Sequence, residues 1–379
     1  MFDFLPPVLQ YPVSFVAVLT VVVFVHELGH YLVARWAGVR VEVFSIGFGP
    51  ELFGFNDSRG TRWKVSALPL GGYVKMFGDR EEVEAEADYS RAMTAAEREV
   101  SFFHKPVVKR AAIVAAGPAA NYVFAALVFT ALFATYGQQI SANVVGEVAP
   151  GSAAEAAGIR PGDRIVELNG QAITRFEQIV TIVGLGLDEP LTVVVERDGQ
   201  RLTLKAQPQV VETTDNFGNV HRVGRLGIRS DGSAQTVQYG PVGAAGAAIS
   251  ETFNVSANIL RAVGQMIAGT RSSDELGGVL RIAKMSGDVA TLGFPAWVTF
   301  TAVLSINLGL INLFPVPMLD GGHLAFYAAE AARGRRLSRR AEEWGLRIGL
   351  AMVLTLFVFA TWNDLVSLKV LDFFKTLIG

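Results

Sequence analysis

The sequence predicts a polytopic α-helical membrane protein with about four transmembrane helices and an inserted β-rich domain. Hydrophobic residues make up 51% of the 379 residues, charged residues only 18%, and the mean hydropathy is +0.36. Long apolar segments occur in both halves of the chain, and strand-like alternation with glycine turns lies between them. Because this composition is more apolar than that of an ordinary soluble protein, the lipid bilayer is expected as a partner.

Composition also excludes several classes of function. The formal net charge of −2 gives no indication of nucleic-acid binding. The absence of cysteine excludes disulfides, thiolate metal sites and cysteine nucleophiles. The opening residues MFDFLPPVLQ lack the basic region of a cleaved signal peptide, so the first apolar segment is expected to remain as a helix.

Apolar segments of roughly 20 residues are long enough to span a bilayer as helices. The candidates are Pro12–Trp36, Ala111–Gly137, Phe294–Phe314 and Ile348–Trp362. Lys and Arg cluster between the first and second segments and between the third and fourth. The positive-inside rule therefore predicts that both connectors are cytoplasmic, and that both termini and residues 138–290 are extracytoplasmic.

Two histidines and a glutamate lie within the first apolar segment, in the sequence HELGH. On a helix, His26 and His30 share a face, so both imidazoles can bind one metal ion. Glu27 lies beside them and is placed to take a proton from water that the ion activates. The alternative is a pair of interfacial histidines bonded to their neighbours, but ionisable groups at this depth are costly and favour a functional interpretation.

A catalytic zinc site takes three protein ligands, so a third ligand must come from elsewhere in the chain. Asp320 is the preferred candidate. It follows Pro315 and Pro317, which end the third span, and precedes Gly321 and Gly322, which permit unusual backbone angles. Non-helical backbone at membrane depth is tolerated only inside the protein or facing water. The alternatives are that Asp320 merely caps a helix, or that His323 or His104 is the third ligand.

Asn307 and Asn312 are the polar amide side chains of the third span. Either can hydrogen-bond a substrate backbone or a developing oxyanion. The alternative is that they bond neighbouring helices to each other.

These residues together resemble the site-2 protease family of intramembrane zinc metalloproteases. HELGH in an early span and NLGLINLFPVPMLDGGH in a later one are its two hallmark motifs. The segments SIGFGPELF, LPLGGYVKM, SFFHKPVVKRAAIVAAGPAANYVFA and WNDL are similar to the bacterial branch of the regulator of sigma-E protease type. The resemblance implies that His26, His30 and Asp320 bind Zn²⁺ and that Glu27 is the catalytic base.

The resemblance covers further residues. Asn307, Asn312, Pro315 and Pro317 match functional residues of the family's third span. The family's second-span signature is matched by Gly117, Pro118 and Asn121, where close helix packing is the interpretation we favour.

Residues 138–209 resemble a single PDZ domain of the bacterial protease type, with a PGD turn and an Asn169-Gly170 hairpin turn. Such domains bind an extended peptide as an added strand, so peptide recognition or a size filter is expected, and a simple spacer is the alternative. Residues 240–269 are expected to form an amphipathic helix that lies on the membrane surface or packs on this domain. The segments around SIGFGPELF and LPLGGYVKM resemble a membrane-associated β-hairpin, whose free edge is suited to an unwound substrate; the alternative is a hairpin with a structural role only.

The expected organisation follows in chain order. Its parts are the first transmembrane helix (1–37), the cytoplasmic-side hairpin and loop (38–106), the second transmembrane helix (107–137), the PDZ domain (138–209), the extracytoplasmic amphipathic helix and linker (210–290), the third transmembrane helix (291–325), and a cytoplasmic loop, fourth transmembrane helix and tail (326–379).

The function expected from these features is intramembrane proteolysis in the bacterial inner membrane, with the active site in the cytoplasmic half. Substrates would be single-span membrane proteins, such as a pre-cleaved anti-sigma factor, or remnant signal peptides. A non-catalytic PDZ-bearing adaptor or chaperone is disfavoured because a closed structural zinc site usually has four protein ligands. A transporter is disfavoured because the sequence has no visible internal repeat.

Overall fold

The structure is a computed structural model that describes residues 6–78, 93–187, 189–214, 220–269, 272 and 276–367. The helices are α1 (Pro7–Trp36), α2 (Ala95–Val100), α3 (Val107–Thr135), α4 (Ala153–Ala156), α5 (Phe176–Gly186), α6 (Pro241–Ile267), α7 (Val279–Thr291), α8 (Phe294–Leu313), α9 (Asp320–Arg333) and α10 (Arg339–Ser367). The strands are β1 (Val41–Asn56), β2 (Arg62–Met76), β3 (Gln138–Ser141), β4 (Val145–Val148), β5 (Arg164–Leu168), β6 (Gln171–Ala172), β7 (Leu191–Arg197), β8 (Gln200–Ala206), β9 (Gln209–Thr214), β10 (Val220–Arg225), β11 (Ile228–Ser230) and β12 (Ala234–Val237).

The chain divides into two compact units. The first contains Met1–Phe129 and Gly278–Thr361, and the second contains Thr130–Gly277 and Trp362–Gly379. Much of the acidic stretch after the hairpin, and the tail after residue 367, lie outside the described residues.

Four helices in the described ranges are long and apolar enough to cross a membrane, as the sequence predicts. They span Leu9–Trp36, Val107–Thr135, Phe294–Leu313 and Arg340–Ser367. The fourth helix is longer than the expected segment because it begins in a polar, arginine-rich turn before its apolar run starts. A multi-pass membrane protein therefore accounts for the apolar composition.

Helices α1, α7 and α8 pack together in the first unit through a shared apolar cluster. Val18 and Val22 of α1 contact Ala290 of α7 and Trp297 of α8. The indole N–H of Trp297 donates to the Ser14 hydroxyl (2.9 Å), which in turn donates to the Ser286 carbonyl oxygen (2.7 Å). Buried polar groups are thus paired between helices, as a low-dielectric surrounding requires.

Helices α1 and α3 approach each other through small residues. A Cβ at Gly29 would lie 2.7 Å from the Cβ of Ala120, closer than real Cβ contacts allow. Small side chains at such a crossing let two backbones come together in a membrane. This close approach brings α3 onto the face of α1 that carries the histidines.

Strands β1 and β2 form a hairpin in which some residues of β1 pair with two different parts of β2. Phe44 pairs with Val74 and also with Trp63, so the first part of β1 has a β2 segment on each side. The Phe44 ring stacks on Trp63 with centroids 4.2 Å apart, and Tyr31 at the end of α1 packs edge-on against both rings. This aromatic cluster fixes the hairpin to the helix that carries His26 and His30.

The second unit is β-rich and has its own core. Its largest sheet has the strand order β6-β5-β7-β8, and the buried core includes Ile165, Leu168, Ile179 and Val193. The strands continue past the expected range 138–209: β12 pairs with β3 and β11 with β4. The unit is longer than the predicted range because β11 and β12 supply the hydrogen-bonding partners that β4 and β3 need.

Helix α6 belongs to the second unit and is amphipathic, as the sequence predicts. Its Glu251 carboxylate forms an ion pair with Arg175 at the start of α5 (2.9 Å). Large apolar side chains on the opposite side are exposed: Val242, Ile249, Phe253, Leu260 and Ile267. One side of α6 therefore packs within the unit, and its apolar side is exposed.

Candidate metal centre

Two imidazoles come from consecutive turns of α1. The helix runs without interruption to Trp36, so His26 and His30 project from the same face. Both residues are buried, at 7% and 9% exposure, and their Nε2 atoms lie 3.2 Å apart. Two side-chain nitrogens therefore converge on one point inside the helical bundle.

Asp320 reaches this point because the chain makes a tight turn between α8 and α9. Phe314, which precedes Pro315, has extended backbone angles (φ −63°, ψ 141°) that end α8. Met318 has a φ of 86°, an unfavourable left-handed conformation for a residue with a side chain. Asp320 is then the first residue of α9.

Gly321 and Gly322 permit this turn through close approach. A Cβ at Gly321 would collide with the carbonyl oxygens of Leu313 and Phe314, and one at Gly322 with that of Val316. The backbone at the start of α9 is therefore in direct contact with the backbone at the end of α8. Gly321 and Gly322 are predicted to permit unusual backbone angles. In the structure they instead leave space for the backbone at the end of α8 and in the turn that follows it.

The geometry of the three side chains fits a single metal ion. The Asp320 Oδ2 atom lies 3.1 Å from His26 Nε2 and 3.5 Å from His30 Nε2. A tetrahedral ion with bonds of about 2.0–2.1 Å holds its ligand atoms about 3.3 Å apart. The Asp320 oxygen is buried and makes no hydrogen bond of good geometry among the described residues. Three converging acceptor atoms, one of them without a donor, suit a cation.

Glu27 lies beside this cluster but is not part of it. Among the described residues, the ligand atoms found within 4.8 Å of one another belong to His26, His30 and Asp320. Glu27 faces the hairpin: a Cβ at Gly72 would lie 2.9 Å from Glu27 Cγ and 2.8 Å from the Ser45 carbonyl oxygen. Because residue 72 is glycine, strand β2 can lie in direct contact with the Glu27 side chain.

The structure places the rival ligands away from the cluster. His104 Nδ1 lies 3.0 Å from the Ser101 hydroxyl, and the His323 ring packs edge-on against Phe326. Neither residue belongs to the described group that could hold a metal. Asp320 is the acidic side chain that the fold brings to the histidines.

Asn307 and Asn312 lie on α8, upstream of Pro315 and Pro317, and both are partly buried. Within the described part of the chain, neither side-chain amide has a hydrogen-bond partner. No bond from these amides to a neighbouring helix is seen there, which leaves their donors available to a substrate.

Helix α3 contributes residues that sequence reasoning did not assign to the site. A Cβ at Gly117 would collide with the His30 ring and would lie 2.9 Å from His26 Nε2. The His30 Nδ1 atom lies 2.9 Å from the Ile113 carbonyl oxygen, and His26 Nδ1 lies 3.2 Å from the Asn121 side chain. The glycine of the second-span signature thus makes room for the imidazoles as well as for helix packing. The Ile113 contact uses backbone, which leaves no signal in the sequence.

A His-His-Asp cluster with an adjacent glutamate, set among apolar helices, defines a candidate metal centre of the H-E-x-x-H type. The model of peptidase family M50 matches residues 14–356 of this chain. "Putative zinc metalloprotease Atu1380" of Agrobacterium fabrum is 49% identical over 363 residues, covering 94% of this chain and 96% of the relative. "Metalloprotease MmpA" of Caulobacter vibrioides is 37% identical over 386 residues, covering 95% and 96%. The chain belongs to peptidase family M50.

Proposed function

We propose that this protein is an intramembrane zinc endopeptidase that cleaves transmembrane segments of single-span membrane proteins. The observation that carries the proposal is the His26–His30–Asp320 cluster, which lies among helices long enough to span a bilayer. Membership of a peptidase family and the names of the relatives support zinc as the cofactor.

Bound zinc supplies Lewis acidity, which polarises a substrate carbonyl and makes water nucleophilic at neutral pH. His26, His30 and Asp320 would hold the ion, and zinc sites with three protein ligands keep a position open for water or substrate. The Glu27 carboxylate takes the proton of the attacking water and passes it to the leaving amine nitrogen. Its place next to the cluster and outside the ligand set suits this role.

Asn307 and Asn312 are proposed to bind the substrate backbone or the developing oxyanion. Their support is the absence of other hydrogen-bond partners for these amides in the described ranges. A preorganised amide donor in a water-poor site stabilises developing negative charge more strongly than bulk water does.

The hairpin is proposed to hold the substrate as an added strand. Residues Gly72–Met76 of β2 pair with β1 on one side, and Gly72 lies against Glu27. A helical substrate must unwind before its peptide bond can reach the metal, and a free strand edge binds extended backbone. The edge beside the glutamate is therefore suited to present a scissile bond.

The β-rich second unit is proposed to be a PDZ domain that binds peptide or excludes substrates with bulky outer domains. The proposed location is the bacterial inner membrane, with both termini and this domain extracytoplasmic and the active site in the cytoplasmic half. The distribution of Lys and Arg between the candidate spans supports this orientation. A pre-cleaved anti-sigma factor or a remnant signal peptide fits such a site.

The test is cleavage of a synthetic single-span peptide by the purified full-length protein in proteoliposomes. The proposal expects cuts within the apolar segment, loss of cleavage on chelation, and recovery on adding one equivalent of zinc. A peptide cut only in its soluble flanks, or cleavage that survives complete removal of zinc, would contradict it. Mass spectrometry of the products locates the cut.

A further inference from the structure

One face of α3 contacts both helices that carry the metal centre, α1 and α9. Its buried members are Arg110, Ile113, Gly117 and Asn121, spaced by three and then four residues, which is the spacing of one helical face. Arg110 donates to the Glu330 carboxylate of α9 (2.6 Å), the helix that begins with Asp320. The other three residues lie at the imidazoles. Helix α3 is therefore the outer support of the centre.

The proton position of His30 is fixed by backbone. A carbonyl oxygen can only accept, so the contact between the Ile113 oxygen and His30 Nδ1 (2.9 Å) requires a proton on Nδ1. The neutral ring then carries a lone pair on Nε2. That is the atom that faces His26 and Asp320.

His26 faces a side chain instead, and a side-chain amide can either donate or accept. If the Asn121 NH₂ group donated to His26 Nδ1, the neutral ring would carry its proton on Nε2. That proton would point toward His30 Nε2 (3.2 Å) and Asp320 Oδ2 (3.1 Å), where an ion must bind. A donating amide is thus incompatible with metal binding through Nε2.

The amide oxygen of Asn121 provides a second observation. When the NH₂ group faces His26, this oxygen is buried and has no hydrogen-bond partner among the described residues. The two ends of an amide exchange by a half-turn about the last side-chain bond. The half-turn places the oxygen against Nδ1, where it has a donor, and moves the NH₂ group to the position that the oxygen occupied.

We propose that Asn121 is a positioning residue whose amide oxygen accepts the Nδ1 proton of His26 and thereby keeps Nε2 free for the metal. The backbone of Asn121 is held in place independently, because the Ser305 hydroxyl of α8 donates to its carbonyl oxygen (3.1 Å). Partners of this kind orient a ligating histidine and raise its basicity, and their loss typically lowers metal affinity about 10–100-fold. The inference rests on the zinc site of the proposed function.

The test is the zinc dissociation constant of the purified full-length protein, measured in detergent by competition with a chromophoric chelator. The comparison of Asn121→Asp with Asn121→Leu is decisive, since a carboxylate can only accept and a leucine side chain can neither accept nor donate. Asn121→Asp should bind zinc at least as tightly as the wild type, and Asn121→Leu should bind about 10–100-fold more weakly. Ser305→Ala is the matched control, because it removes a neighbouring hydrogen bond without changing the amide, and its affinity should stay near that of the wild type.

Other outcomes overturn the proposal. If the wild-type amide donates, it opposes metal binding through Nε2, so Asn121→Leu should bind zinc as tightly as the wild type or more tightly. A purely structural asparagine predicts unchanged affinity in both variants, with a lower unfolding temperature of the metal-free protein. If Asn121→Leu does not fold, Asn121→Ala takes its place, with the same expected loss of about 10–100-fold in zinc affinity. A wild-type protein that binds no zinc contradicts the proposed function itself, whereas zinc binding that the variants leave unchanged contradicts only the role of Asn121.

Discussion

Gly72 lies so close to Glu27 that a Cβ on the glycine would be 2.9 Å from the Cγ of the glutamate. The strand edge and the side chain are therefore in direct contact, and any larger residue at position 72 must displace one of them. Gly47 and Gly71 also lie in this hairpin with left-handed backbone angles, but Gly72 is the one whose side-chain space is filled by Glu27. The contact couples the hairpin to the proposed general base.

Gly72→Ala should lower cleavage while leaving zinc content unchanged. A displacement of the base or substrate strand by about 1 Å typically costs about a hundredfold in rate. The measurement is kcat for a transmembrane peptide together with zinc content. Gly184→Ala is the control, because Gly184 is helical and has open space around it. Loss of zinc in Gly72→Ala would show that the hairpin supports the metal rather than the reaction.

Gly117→Ala should lower zinc affinity itself. Its methyl group would occupy the space next to both Nε2 atoms, so the imidazoles must turn away from Asp320. The result is checked by chelator competition. Gly264→Ala, a helical glycine with no neighbour within 4 Å, should bind zinc normally. Normal zinc affinity in Gly117→Ala would mean that the glycine serves helix packing alone.

Asp320→Ala should lower both zinc content and cleavage. It removes one of the three proposed ligands, so the loss of affinity should exceed the roughly 10–100-fold expected for an outer partner. Asp288→Asn is the matched control, since Asp288 accepts a hydrogen bond from Tyr11 at an exposed position. Stoichiometric zinc in Asp320→Ala would identify a different third ligand.

The hairpin should loosen from α1 at low pH. Burial acts to raise the pKa of Asp57, but donors from Thr61, Trp63, Arg59 and Tyr31 outweigh it and lower the pKa from 3.8 to about 2. Because the folded pKa is depressed, the stabilisation is complete above the unfolded pKa and is lost as pH falls through the folded value. The unfolding temperature should therefore drop between about pH 4 and about pH 2.

Asp57→Asn provides the comparison for this pH effect. The variant should have a lower unfolding temperature at neutral pH and a smaller further decrease on acidification, because its side chain does not titrate. Equal acid sensitivity in the variant and the wild type would assign the transition to other carboxyl groups.

Much of the first unit was predictable because its signals are local. Apolar runs of spanning length predicted four helices, and the i, i+4 histidines defined their own shared face. Proline and glycine around Asp320 indicated a broken backbone at that position. Each of these signals lies within one continuous segment of the sequence.

The remaining features depend on contacts that the sequence does not encode locally. His30 forms its hydrogen bond with the backbone carbonyl oxygen of Ile113. Phe44 pairs on its second side with the part of β2 that contains Trp63. The strands β11 and β12 extend the β-rich unit because they pair with segments far away in the chain. Such long-range pairing has no period or motif by which it could be recognised.

The most direct measurement is paired: zinc content and cleavage of a transmembrane peptide, for the wild type and for Glu27→Gln, in detergent. If Glu27 is the general base and not a ligand, both proteins should contain stoichiometric zinc and only the wild type should cleave. Loss of zinc in Glu27→Gln would mean that Glu27 is a ligand. Zinc in both proteins with cleavage in neither would contradict intramembrane proteolysis and favour a non-catalytic adaptor.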